Sequence, residues 1–173
     1  MNFSKIKETK MLAAILVAAA LATSTTIIPQ AYASSPKFTS SGGTSSAGCT
    51  VLSNFSLECT GEMTGLGGGP AQSHLTATVS ANFDCFNPSG AGPNPGHSGP
   101  GIAAGPTTPL SVSHNGRATF DDFIPAPTGP DAPNPGWTCS ITYVSYSNVN
   151  LVVDTVSGQY ILPIAGTFTA GTP

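Results

Sequence analysis

Charge is what this sequence has least of. Only 8% of its 173 residues are charged, against about 25% in a typical soluble domain, so Ser, Thr, Gly and Pro must cover the surface. Basic side chains are scarcer still, five in all, and Lys5, Lys7 and Lys10 use up three of them at the N-terminus. That poverty excludes recognition of nucleic acid or anionic membrane through basic patches. No apolar run reaches the roughly 20 residues of a membrane-spanning helix. No window beyond residue 33 carries the helical period, which excludes a coiled coil. The three histidines, His74, His97 and His114, form no H-x-H, HExxH or H-x3-H spacing, so no zinc or copper motif is present.

What is there begins with an address. Behind the basic start, residues 11–22 (MLAAILVAAALA) form an unbroken apolar run of 12, and Ala31-Tyr32-Ala33 matches the small-x-small pattern of signal peptidase. The reading is a signal peptide over 1–33, cut after Ala33. The chain then touches the membrane only during export, and the protein is secreted. The remaining chain keeps two cations, Lys37 and Arg117, against seven carboxylates (Glu58, Glu62, Asp84, Asp121, Asp122, Asp131 and Asp154), a net charge of −5. All four cysteines, Cys49, Cys59, Cys85 and Cys139, lie in this exported part. Outside the cytosol an even cysteine count reads as disulfides.

Residues 34–48 read as a flexible polar lead, and 49–173 as one domain. From Cys49 apolar side chains recur at every second position: Cys49, Val51, Phe55, Leu57, Cys59 and Met63, with a break expected at Ser53-Asn54. After a turn at 65–73 the alternation resumes with Leu75, Ala77, Val79, Ala81, Phe83 and Cys85, and the two stretches are expected to pair as a hairpin. Residues 87–109, with six prolines and six glycines, predict a long loop. Short strands follow at about 110–114 and 117–124, then a second Pro-rich loop over 125–136. Cys139, Ile141, Tyr143, Val149, Leu151 and Val153 alternate again, with an irregularity near Ser145–Ser147, and Tyr160, Leu162, Ile164 and Phe168 form a last strand. The expected fold is all-β: an immunoglobulin-like antiparallel β-sandwich of about six to eight strands with long Pro/Gly-rich loops.

Three stretches carry a resemblance. They are Cys59-Thr60-Gly61-Glu62-Met63-Thr64-Gly65-Leu66-Gly67, Cys85-Phe86-Asn87-Pro88-Ser89-Gly90, and Asn134-Pro135-Gly136-Trp137-Thr138 leading into Ile141-Thr142-Tyr143-Val144. Together they resemble a family of secreted microbial proteins with no assigned activity. The resemblance covers most of residues 57–169 and implies export and an all-β fold. It implies no mechanism. Members of that family place a cysteine just before the Asn-Pro-x-Trp segment, whereas Cys139 here follows Trp137 by two residues, so pairing does not carry over. Four cysteines allow three pairings. The symmetry of positions 59 and 85 about residue 72 favours Cys59–Cys85 with Cys49–Cys139.

Chemistry is thin. Asp121 and Asp122 could join Asp131 around calcium, but no D-x-D-x-D-G loop exists and adjacent aspartates are usually just solvated. Glu58 and Glu62 share an outward face, expected near Asp84 across the hairpin, where nothing would desolvate them for acid–base work. Trp137 and His97 are the candidate binding residues, and the Pro-rich loops the candidate binding surface. Asn54-Phe55-Ser56 is a glycosylation sequon. The sequence therefore points to no cofactor, no metal and no catalysis. It predicts a secreted β-sandwich that binds an extracellular ligand or cell-surface component, or has a surface-structural role. Alternatives are a filament subunit whose N-terminal segment donates a strand to a neighbour, and a secreted enzyme or metal-binding protein.

Overall fold

A computed structural model describes residues 35–41, 44–129 and 136–173, with backbone alone at 41, 44, 45, 97 and 98. The expected signal peptide, the cleavage site, Asp131 and the Asn134-Pro135 pair lie outside the described residues. Those described contain strands and no helix. The chain runs β1 (Lys37–Phe38), β2 (Ser40–Ser41), β3 (Thr44–Ser45), β4 (Gly48–Val51), β5 (Leu57–Thr64) and β6 (Ala71–Phe86). Then follow β7 (Asn94–Ala104), β8 (Thr108–Leu110), β9 (Ala118–Ile124), β10 (Thr138–Thr155), β11 (Gly158–Ile164) and β12 (Phe168–Gly171).

Two antiparallel sheets share one core, as a β-sandwich does. In the first, β5 is central, with β9 on one side and β4 and β1 on the other. The second has the order β11-β10-β6-β7, with β12 continuing the β11 edge and β8 the β7 edge. Strict alternation decides which side chains meet. Leu57, Cys59 and Met63 of β5 and Ala118, Phe120 and Ile124 of β9 face Leu75, Ala77, Ala81, Phe83 and Cys85 of β6. All are buried, and removing this apolar surface from water is the main term holding the sheets together.

The hairpin expected between 49–64 and 74–86 does not form. Residues 65–70 carry the chain from one sheet to the other, so β5 pairs with β9 and β6 with β10. Leu66 plugs the crossing, buried, with its N–H donating to Gly116 O at 3.0 Å. The favoured disulfide pairing falls with the hairpin. The bridges are Cys49–Cys59 and Cys85–Cys139, each between register partners, on β4–β5 and on β6–β10. Symmetry about residue 72 was the wrong geometry, because a crossover stands where a turn was expected.

The long loop over 87–109 is also corrected, since β7 (Asn94–Ala104) runs through its middle and β8 begins at Thr108. Proline is tolerated there because β7 is an edge strand, and Pro100 falls in an irregularity between the pairs Val79↔Gly101 and Ala81↔Ser98. The polar lead is likewise tied down in part. Lys37 and Phe38 pair with Thr64 and Met63, and Thr39 N–H donates to Glu62 O at 2.9 Å.

β10 departs from the expected alternation at two register shifts, between Ile141 and Tyr143 and between Ser147 and Asn150. Each shift reverses the parity of the strand. Val144 and Tyr146 therefore point inward and are fully buried, then Val149, Leu151 and Val153 take over. Tyr146 reaches across the sandwich: its hydroxyl donates to Phe55 O at 2.8 Å and lies 3.4 Å from Pro125 O. Phe55 sits at φ +66°, a left-handed conformation unfavourable for an aromatic residue, and the bond holds that turn.

Candidate binding cleft

The residues singled out in the sequence do not converge. Trp137 is half-buried and packs against the core beside Cys139. His97 lies on β7 opposite Asn82, whereas Thr138, next to Trp137, pairs with Phe86, placing the two roughly 15 Å apart along the sheet. Asp121 and Asp122 point to opposite sides of β9. Asp122 is buried and Asp121 exposed, so the two cannot grip one calcium ion. Among the described residues no group of three or more His, Cys, Asp or Glu could hold a metal. Glu58 and Glu62 do share the outward face of the first sheet, joined by Asp121 opposite Thr60. Asp84, expected near them, is on the other sheet.

Asn54 is exposed in the turn between β4 and β5. Its Oδ1 accepts from Ser56 N–H at 3.1 Å and from Ser56 Oγ at 2.6 Å, an Asx turn that fixes the sequon's conformation.

A cleft of about 570 Å³ opens on the outward face of the second sheet, toward its Cys85–Cys139 end. Asn82, Phe83 and Asp84 of β6 form the floor, Pro95 and Gly96 of β7 one wall, and Thr142, Thr172 and Pro173 the other. The fold builds it with two local devices. The shift in β10 after Ile141 pushes Thr142 out of register. Gly171, at φ +89°, brings the chain end so close that Thr172 N–H donates to Thr142 O at 3.1 Å. A Cβ at Gly171 would overlap Thr142 O, with 1.9 Å between them, so only glycine fits the approach.

The cleft thus offers one carboxylate, one amide and two hydroxyl side chains on a β-scaffold. Such a set donates and accepts hydrogen bonds, and suits a polar, hydroxyl-rich ligand. Sequence reasoning assigned no role to Asn82, Thr142 or Thr172. The one signal for them was the pair of apolar residues Val144 and Tyr146 at even positions in an otherwise odd-numbered pattern, the mark of a bulge.

No family model matches the chain, and no match to it is found among curated proteins or solved structures. The protein's class is therefore stated from its own structure: an all-β protein of two antiparallel sheets, stapled by two disulfides. The disulfides fit an oxidising, extracellular environment, and no helix among the described residues is long and apolar enough to cross a membrane.

Proposed function

We propose that this is a secreted, non-catalytic β-sandwich protein that binds a hydroxyl-rich ligand outside the cell, such as a neutral saccharide. The observation carrying this reading is the cleft between Asp84, Gly96, Thr142 and Thr172, a polar site built by a bulge and a required glycine. The placement of the carboxylates supports a role without acid–base chemistry. Asp84 lies on one outward sheet face, Glu58, Glu62 and Asp121 on the other, and Asp122 between the sheets. Kinship with secreted microbial β-proteins and an immunoglobulin-like architecture belong to the same proposal. The kinship rests on the sequence motifs and the architecture on the paired antiparallel sheets, although each disulfide ties neighbouring strands of its own sheet rather than bridging the two. The filament alternative is less favoured, because the described part of the N-terminal segment pairs with β5 of its own chain.

The reading is tested by titrating neutral oligosaccharides into the exported, oxidised protein while following backbone amide resonances. Shifts at Asn82, Asp84, Gly96 and Thr172 that weaken in Asp84→Ala are expected. An unmoved cleft, or binding undiminished by that substitution, refutes it. Mass spectrometry of the natively produced protein tests export: an N-terminus at Ser34 is expected, and an intact N-terminus on cytosolic material overturns it.

A further inference from the structure

The two cations that follow residue 33, Lys37 and Arg117, are far apart in sequence and meet in the fold. β1 sets Lys37 opposite Thr64 and Phe38 opposite Met63. On the other side of β5, β9 sets Ala118 opposite Met63, so Arg117 flanks Thr64 as well. Phe38 turns inward, its ring centroid 5.8 Å from that of Phe120, which leaves Lys37 and Arg117 on the outward face. Together with Thr39, Ser40 and Thr64 they line a cleft of about 390 Å³.

The cleft is held by hydrogen bonds. Arg117 Nη2 lies 2.7 Å from Glu62 Oε1, which orients the guanidinium and leaves other N–H groups of its fork to donate. The backbone carbonyl of Glu62 accepts from Thr39 N–H at 2.9 Å and from Ser46 Oγ at 2.8 Å. Four of the six lining residues, Lys37 to Ser40, come from the polar lead, so docking the lead on β5 is what completes the cleft. With Glu62 counted, the local charge is +1.

We infer that this cleft is a second binding site, for the carboxylate of an acidic saccharide. One carboxylate of the saccharide inside the cleft matches the local excess, the other sugar residues of a chain extending beyond it. A phosphate dianion would instead bring both its charges beside Glu62. The Ser40 and Thr64 hydroxyls complement a sugar's hydroxyl groups. The site is on the opposite sheet from the cleft at Asp84 and stands independently of it.

Trigalacturonate, maltotriose and inorganic phosphate, each titrated into the exported, oxidised protein and followed by amide resonances, test the inference. Trigalacturonate should move Lys37, Thr39, Thr64 and Arg117, more weakly as salt is raised, and maltotriose should leave them in place. Lys37→Gln, an exposed change whose folding is checked by thermal melting, should weaken binding on the order of five- to tenfold. Arg117→Lys, which keeps the charge but loses the fork, should weaken it less than Lys37→Gln combined with Arg117→Gln. No shift with trigalacturonate overturns the inference. So does full-strength binding by Lys37→Gln, or inorganic phosphate moving the same amides at lower concentration. The amides of Asn82 and Asp84 report the other cleft separately.

Discussion

Removing the two disulfides one at a time should cost unequal amounts of stability, and the difference can be worked out. Cys49–Cys59 closes a separation of 10 residues and Cys85–Cys139 one of 54. In the chain-entropy description a crosslink restricts the unfolded chain by a constant plus a term growing as 1.5RT times the logarithm of loop length. The constant cancels between the two bridges, leaving about 1.5 kcal/mol more stabilisation from Cys85–Cys139. The perturbation is the pair of double variants Cys49→Ala/Cys59→Ala and Cys85→Ala/Cys139→Ala. Packing losses should partly offset, since Cys59 and Cys85 are both buried in the same core. Urea unfolding with the remaining bridge oxidised gives the two free energies, and the slope shows whether the unfolded states differ in compactness. The variant lacking Cys85–Cys139 should be the less stable. Equal costs, or a larger cost for removing Cys49–Cys59, would refute the entropic reasoning. Digestion after Phe55, which separates Cys49 from Cys59, should leave those two peptides joined until reduction. A Cys59–Cys85 peptide would refute the pairing itself.

Four further outcomes follow, three from buried polar groups and one from a close approach. Tyr146→Phe leaves the Phe55 carbonyl without its 2.8 Å donor and should cost about 1–2 kcal/mol, roughly 3–8 °C in Tm, while Tyr143→Phe should change little. Burial pushes the Tyr146 hydroxyl up to about 12, so the folded protein holds this proton more tightly than the unfolded chain. Its contribution is therefore complete below about pH 10 and lost as pH rises toward 12, which tyrosinate absorbance and denaturant unfolding read together. Ser73→Ala removes the Oγ donor 2.6 Å from buried Asp122 Oδ2, whose other oxygen, Oδ1, is buried with no partner among the described residues. A loss of about 1–3 kcal/mol is expected, and adding Asp122→Ala in the same background should recover part of it. Gly171→Ala should detach β12, seen as lost amide-exchange protection in Phe168–Thr172 while the β6–β10 ladder stays protected. Uniform protection throughout would contradict the tight approach to Thr142.

The sequence alone determined whatever depends on a period of two. The inward set of β6, from Leu75 to Cys85, was legible because alternation over a long run has one interpretation in a half-buried strand. The all-β class was legible for the same reason, as was the β9 pattern around Ala118 and Phe120. Partner choice was not legible. Antiparallel alternation looks the same whether the next strand is a hairpin mate or lies across the sandwich, so residues 65–70 read as a turn although they cross between sheets. Disulfide pairing, a matter of which strands are neighbours, went astray with it. Proline density misled at 87–109, because a breaker in a central strand is acceptable on an edge, and edge position is a tertiary property. The cleft residues were hidden for a related reason. A bulge reverses parity without altering composition, and Gly171 reveals its role only when Thr142 stands against it. The two cations illustrate the same limit, since Lys37 and Arg117 become one site only because β1 and β9 settle on opposite sides of β5.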